Sequence, residues 1–407
     1  MNEAYNWACE IVKKLKNEGY QAYFVGGCVR DMVMNRIPGD YDVATNASID
    51  DIKRFFPKNV EVGVSFGVIL VVNRGEKCQV STFRSTSGNA EDDAHLRDFT
   101  INGLFYDPQE NKVFDWVGGK KDIEAGIIRA INSPRDRFSE DYLRMIRAVR
   151  IASALGFRIE EKTFAAIKQM ARMILNCSNE RIRDELIKIF SGNPLDGFNL
   201  LLESGLIYHV IPELNLIQET DSDKISRIKI MLANICPPDY IIGLAALLSE
   251  TGDYTYRENI NVFVPDSIEV EYFLKKYKFS NYESKTIKNI LINHLKFIHA
   301  QKMSSGIIKK LMQSESFYRE LEFHRLRLIV FGKNLDTYCY LKDMRGSLSD
   351  NDIHPKPLLN GNDLIGMGFY PGKIFSKILR ELELKQLEGE LETKKDALVW
   401  IKSEFKK

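Results

Sequence analysis

The sequence predicts an α/β head followed by an all-α neck, body and tail. Two observations carry this. Between residues 20 and 130 short β-rich runs alternate with helical stretches, and from Phe138 onward strand signals almost vanish while helical periodicity takes over. Length is a third: 407 residues exceed one compact core. Met1–Tyr20 reads as a charged amphipathic helix. Strands are expected at Ala22–Val25, Asp42–Ala44, Val68–Val72, Lys77–Phe83, Asn102–Asp107 and Val113–Trp116. In the helical half, Gly192-Asn193-Pro194, Pro212, Pro237-Pro238, Pro265 and Pro355–Pro357 mark breaks. The expected domains are a head over residues 1–135, a neck over 136–195, a body over 196–300 and a tail over 301–407.

Hydrophobic residues make up 44% of the chain and charged residues 28%, as in ordinary soluble globular proteins. No apolar run is long enough to span a bilayer and no signal peptide is read, so a cytoplasmic protein without a membrane partner is expected. The six cysteines are scattered without a CxxC pair, which argues for reduced thiols and against structural zinc. With a net charge of +1, any polyanionic partner must be met by local basic clusters.

The chemistry concentrates in residues 24–42, Phe-Val-Gly-Gly-Cys-Val-Arg-Asp-Met-Val-Met-Asn-Arg-Ile-Pro-Gly-Asp-Tyr-Asp. Gly26 and Gly27 end a buried strand in a tight turn, where backbone N–H groups and a helix N-terminus can close on a phosphate. Arg30 adds a fixed charge for a phosphate oxygen. Asp40 and Asp42 stand two apart in what reads as the next strand, so that both carboxylates share a face and can hold hard divalent cations. A phosphate cradle beside a carboxylate pair describes metal-dependent nucleotidyl transfer.

This stretch resembles the Gly-Gly-x-Val-Arg-Asp…Asp-x-Asp signature of the class II tRNA nucleotidyltransferase and bacterial poly(A) polymerase family. The resemblance implies a polymerase-beta-like nucleotidyltransferase head and Mg2+ held by Asp40 and Asp42. Residues 97–102, Arg-Asp-Phe-Thr-Ile-Asn, are similar to the family's ribose motif and imply ribose contacts for Arg97, Asp98 and Asn102, with Phe99 and Ile101 in the core. Ser139-Glu-Asp-Tyr-Leu-Arg-Met-Ile-Arg-Ala-Val-Arg150 reads as a helix capped by Ser139, with Leu143, Ile146 and Val149 as its apolar stripe. Asp141 and Arg144, three apart, are expected to touch. The segment resembles the family's Glu-Asp-x-x-Arg motif, which implies that Asp141 and Arg144 read the incoming base, with Arg147 and Arg150 as further nucleotide-binding residues. A carboxylate only accepts and a guanidinium only donates, so this pair matches the amino donor and ring acceptor of cytosine and adenine, and mismatches uracil and guanine. Asn179-Glu-Arg-Ile-Arg-Asp-Glu-Leu186 resembles a further family helix, in which Glu180 and Arg183 are expected to brace the neck.

Three departures carry information. Only Ser85–Leu96 separate Thr82-Phe83-Arg84 from the ribose motif, a shorter connection than in relatives that complete CCA, and this favours addition of CC from CTP. Leu96 replaces a customary arginine, and Gln79 stands where an acidic residue is common. After Leu244–Leu248, Ser249-Glu250 lacks the His-Asp pair of relatives with a second hydrolase site. Expected partners are the tRNA acceptor stem and 3′ end, with CTP as nucleotide and ATP as the alternative. A phosphate-contacting surface is expected from Lys285, Lys288, Lys296, Lys302, Lys309, Lys310, Arg319, Arg325, Arg327 and Lys333. The alternatives are a full CCA-adding or A-adding enzyme, a poly(A) polymerase, or an inactive RNA-binding relative.

Overall fold

The computed structural model describes residues 3–63, 67–73, 75–85, 87–214, 222–251, 254–257, 262–265 and 267–405. The chain forms two compact units, Met1–Pro212 and Glu213–Lys407.

The first unit is built on a seven-stranded sheet. Its strands are β1 (Ala22–Val25), β2 (Asp42–Thr45), β3 (Asn59–Gly63), β4 (Val68–Asn73), β5 (Glu76–Thr82), β6 (Phe105–Asp107) and β7 (Lys112–Phe114). They lie in the order β3-β4-β5-β2-β1-β6-β7. β2 runs parallel to β5 and antiparallel to β1. Helix α1 (Glu3–Asn17) has apolar positions three and four apart, and Ala8, Ile11, Val12 and Leu15 are fully buried in the core that includes Phe24, Val43 and Val80. The other helices of the head are α2 (Gly27–Val33), α3 (Ile49–Phe55), α4 (Ala90–His95) and α5 (Gly119–Ala125). A second core cluster joins Val25, Ala44, Phe83 and Phe105 to Ala90 and Ala94 of α4.

The structure departs from the expected strands in three places. β2 begins at Asp42, and Asp40 lies in the bend before it. β3, an unexpected strand, exposes half of Val60, so its apolar alternation is weak in the sequence. Thr100–Asn102 forms a 3-10 turn rather than the start of a strand, and β6 pairs only from Phe105. The turn is held by packing: a Cβ at Gly103 would stand 2.7 Å from the Val117 side chain.

The helical part of the first unit contains α6 (Pro134–Glu140), α7 (Leu143–Leu155), α8 (Glu161–Met170), α9 (Asn179–Gly192), α10 (Pro194–Glu203) and α11 (Ile207–Val210). Ser139 is not a cap. Ser133 caps α6, with Pro134 at its first position, and Ser139 lies inside that helix. The backbone becomes extended at Asp141 (φ −155°, ψ 103°) before α7 begins. The expected stripe holds, since Leu143, Ile146 and Val149 are all buried. α9 and α10 meet at Gly197, where a Cβ would stand 2.2 Å from Ile189.

The second unit is mostly helical, with one departure: Tyr254–Arg257 and Val262–Pro265 pair as an antiparallel two-stranded ladder. The helix Tyr240–Leu248 is buried along almost its whole length. Glu250, just after it, is buried and paired with Arg227 and Arg327, so this acidic residue has a structural role. Separate apolar clusters gather around Phe297, Phe317 and Leu341, and around Leu364, Ile378 and Ile401. Among the described residues no helix is long and apolar enough to cross a membrane. All six cysteines are free.

Gly119 at the start of α5 offers a test of the turn at Thr100–Asn102. A Cβ there would stand 2.2 Å from the Thr100 carbonyl oxygen and 3.0 Å from Leu104. Gly119→Ala should destabilise the protein by about 1–3 kcal/mol, as overpacking of a filled interior does. The check is its thermal midpoint against that of the parent; equal midpoints would mean the turn shifts freely.

Candidate active site

The chain turns sharply between β1 and α2. Gly26 adopts φ +77° and ψ −135°, a conformation that L side chains rarely take. The two glycines lie under guanidinium groups: a Cβ at Gly26 would stand 3.7 Å from Arg97 Nη1, and one at Gly27 3.6 Å from Arg30 Nη2. Arg30 donates to Asp31 through Nε (2.9 Å) and Nη2 (2.7 Å), and to Asn102 Oδ1 through Nη1 (3.1 Å).

Beside this turn, Asp42 is paired in register with Val25 of β1 and Gln79 of β5. Its Oδ1 is buried and has no hydrogen-bond partner among the described residues. Burial and the nearby Asp40 charge push its carboxyl pKa up to about 6, against a smaller opposing effect of Arg97. An unpartnered carboxylate oxygen destabilised by a second carboxylate fits a hard dication, which would satisfy both. Gln79 contributes an amide, and among the described residues no group of three or more acidic, histidine or cysteine side chains forms a metal cluster. Two carboxylates plus substrate phosphates nevertheless suffice for a magnesium-type ion.

Arg97 and Asp98 diverge. Arg97 donates to Asp93 Oδ2 through Nε (3.0 Å) and Nη2 (2.8 Å), and its guanidinium lies 4.8 Å from the centre of the Phe105 ring. It therefore faces the glycine turn. Asp98 instead accepts from the Phe99 N–H (2.8 Å), Asn102 Nδ2 (3.3 Å) and Arg147 Nη2 (2.8 Å). Burial acts to raise the Asp98 carboxyl, but Arg147, Arg84 and the Phe99 N–H outweigh it and hold it well below the usual carboxylate range. Phe99 and Ile101 are fully buried, as their pattern suggested.

Asp141 and Arg144 meet only through the backbone, where the Arg144 N–H donates to the Asp141 carbonyl at 3.1 Å; the expected side-chain contact is not formed, because Asp141 lies in extended backbone before α7. Asp141 pairs with Arg181 of α9 (2.7 Å) and accepts from the Leu143 N–H (3.2 Å). Arg144 reaches Glu140 (2.7 Å) and the Arg137 carbonyl (2.8 Å). Both nonetheless line one cavity of about 590 Å³, together with Asp42, Gln79, Arg84, Arg97, Asp98 and Arg147. Arg150 turns to Glu185 of α9 (2.6 Å), so Glu185 also braces α7 against α9.

Sequence reading passed over Asp93, Arg84, Arg181 and Glu185. Asp93 had a signal, four residues before Arg97 within a short helix. Arg181 and Glu185 lie in the family-like segment Asn179–Leu186, but their partners Asp141 and Arg150 are reached only through packing of α9 on α7.

In the second unit most of the expected phosphate-contacting residues are used internally. Lys288 pairs with Glu271, Lys310 with Glu383, Arg319 with Asp239, Arg325 with Glu322 and Arg327 with Glu250. Lys296 reaches Asn293 and Lys309 the Leu387 carbonyl. Lys285, Lys302 and Lys333 are exposed, without a partner among the described residues. The basic surface is thus sparser than the sequence suggested.

Comparison with known proteins fits this geometry. Residues 22–129 match the poly A polymerase head domain, residues 156–217 the "Probable RNA and SrmB- binding site of polymerase A", and residues 262–401 domain 2 of tRNA nucleotidyltransferase. A CCA-adding enzyme of Ligilactobacillus salivarius is 30% identical, over 96% of this chain and 94% of that protein. One from Enterococcus faecalis is 29% identical over 96% and 94%. Among solved structures, the Bacillus stearothermophilus CCA-adding enzyme in complex with CTP superposes with a TM-score of 0.78 at 28% identity, covering 99% of this chain and 98% of that one. With its glycine turn, carboxylates and arginine-lined cavity in one head, and with this similarity along nearly its whole length, the chain belongs to the class II tRNA nucleotidyltransferase family.

Proposed function

We propose that the protein adds cytidines to the 3′ end of tRNA from CTP without a nucleic-acid template, using Mg2+ and stopping at CC. The observation that carries this is the single cavity with Asp42 and the base-reading candidates Asp141 and Arg144 in its walls. Protein side chains there stand where a template base would otherwise be needed. The CCA-adding relatives and the CTP complex of the Bacillus stearothermophilus enzyme support the nucleotide and the acceptor.

In this reading Asp40 and Asp42 hold the divalent ion. Such an ion, when bound, lowers the pKa of the 3′-hydroxyl and offsets charge on the phosphates. The backbone of the Gly26-Gly27 turn, with Arg30 and Arg97 over it, orients the triphosphate. Asp98 and Asn102 take the ribose. The tRNA 3′-oxygen loses its proton and bonds to the α-phosphorus while the bond to the β-phosphate oxygen breaks, releasing pyrophosphate. Asp141 accepts from the cytosine amino group and Arg144 donates to the ring nitrogen, each exchanging a bond it now makes within the protein. Arg147 and Arg150 secure the reading helix and its nucleotide side through Asp98 and Glu185. Acceptor-stem phosphates would meet the second unit, where Lys285, Lys302 and Lys333 are, of the ten expected basic residues, those without a side-chain partner among the described residues.

Stopping at CC is attributed to the connection after Arg84. Residues 90–95 form α4, capped by Asn89, and Asp93 ties it to both Arg84 and Arg97. A tethered connection gives little leverage for widening the pocket to adenine.

Three tests follow. Asp42→Asn should abolish CMP incorporation by several orders of magnitude, yet leave the metal-free protein at least as stable as the parent above pH 6, because the buried charge that raises the Asp42 pKa is gone. A folded Asp42→Asn protein with near-normal transfer would remove the metal assignment. Asp141→Ala should relax discrimination against UTP by roughly ten- to a hundred-fold, since it removes the repulsion of uracil O4 and frees the Arg181 donors. Competition between CTP and UTP reads this directly; unchanged rejection of UTP would reduce Asp141 to a brace for α9. Finally, tRNA ending in CC should accept AMP poorly, and a longer connection inserted after Arg84 should raise AMP more than CMP incorporation. Efficient single AMP addition by the parent would instead assign full CCA addition.

A further inference from the structure

Five arginines line the cavity of the first unit: Arg84, Arg97, Arg144, Arg147 and Arg181. Four are matched to carboxylates, Arg97 to Asp93, Arg144 to Glu140, Arg147 to Asp98 and Arg181 to Asp141. Arg84 is different. Among the described residues its guanidinium reaches only the Leu96 carbonyl, 3.4 Å from Nη1. A guanidinium has five N–H donors, so most of those on Arg84 are unspent.

The position of Arg84 is nevertheless fixed. Its backbone N–H donates to Asp93 Oδ1 at 2.6 Å, while the other oxygen of the same carboxylate holds Arg97. The preceding Phe83 N–H donates to the Thr45 carbonyl at 2.7 Å, continuing the alignment of β5 with β2. One buried carboxylate therefore sets both a main chain and a neighbouring guanidinium. The Arg84 side chain lines the wall of the cavity. Burial and the adjacent Arg97 lower its pKa, with Arg144 acting in the same direction and Asp98 and Asp93 opposing them. Holding an unmatched cation among other cations is unfavourable unless something anionic arrives.

We propose that Arg84 is a substrate-binding residue that takes a phosphate oxygen, either of the incoming nucleotide or of the acceptor's terminal phosphodiester. This rests on the nucleotidyl-transfer reading above. A planar fork with free N–H groups suits two phosphate oxygens better than a single carbonyl. The balance of charge in the cavity points the same way, because the four other arginines already have acidic partners.

The test compares parent, Arg84→Ala and Arg84→Lys for equilibrium affinity toward CTP with Mg2+, and separately toward tRNA lacking its terminal CC. Affinity is read without turnover, so a parent that binds but transfers nothing would count against the proposed reaction and not against this assignment. Arg84→Ala should bind one of the two ligands about ten- to a hundred-fold more weakly at an unchanged thermal midpoint. Loss toward CTP identifies the triphosphate; loss toward tRNA identifies the phosphodiester, with a salt slope shallower by about one in the alanine variant. Arg84→Lys keeps the charge and should recover part of the affinity, and it serves as the informative variant if alanine impairs folding. Unchanged affinity for both ligands in the folded variants would overturn the proposal and leave Arg84 as a brace for the Leu96 carbonyl.

Discussion

The ion pair between Asp98 and Arg147 is the constraint on which the rest of the site depends. Asp98 follows the loop that enters the 3-10 turn of the head, and Arg147 lies in the middle of α7. Asp98 is buried, so its charge needs compensation within the protein, and Arg147 supplies it with two hydrogen bonds. The same carboxylate holds Asn102, which accepts from Arg30 beside the glycine turn. On the other side α7 continues through Arg150 to Glu185 of α9. A continuous chain of polar contacts thus runs from the Gly-Gly turn to α7 and α9.

That chain explains why the cavity can be highly charged and still belong to a folded protein. Its arginines are mostly neutralised by acids on neighbouring elements, and substrate binding would exchange some of these bonds rather than create all of them anew. For Asp141 and Arg144 the exchange has consequences for selectivity. A base must return equivalent hydrogen bonds to both groups, and one with reversed donors and acceptors leaves the Arg181 and Glu140 partnerships as the better alternative. If these two groups read the base as proposed, discrimination would be built from competition within the protein as well as from attraction to the correct base.

The connection between β5 and the ribose motif shows how a short segment acquires rigidity. Asn89 caps α4, Ser87 bonds Asp92, and the fully buried Asp93 fixes Arg84 and Arg97 together. Ala90 and Ala94 seat the helix against Phe83 and Phe105. Length alone would make the segment short; apolar seating and a buried carboxylate make it fixed.

The sequence by itself determined the architecture of the head. Strands β1 and β4 follow from continuous β-branched and aromatic runs and β5 from the alternation that buries Cys78 and Val80, and the Gly-Gly turn follows from a backbone conformation that only glycine adopts without strain. Asp42 was singled out by its spacing from Asp40 and the Gly-Gly turn, and Asp98 and Asn102 by the family resemblance of residues 97–102; all three lie in or beside the cavity. What only the tertiary structure decided is which charges meet. Asp141 pairs with Arg181, forty residues away, and Arg147 with Asp98, forty-nine residues away, rather than with neighbours on one helix. The break in the helix at Asp141 and the pairing of Lys310, Arg319 and Arg327 with acids far away in the chain were hidden for the same reason. Local spacing specifies turns and faces, but an ion pair is chosen by whichever partner packing brings within a few ångströms, and that depends on elements far apart in the chain.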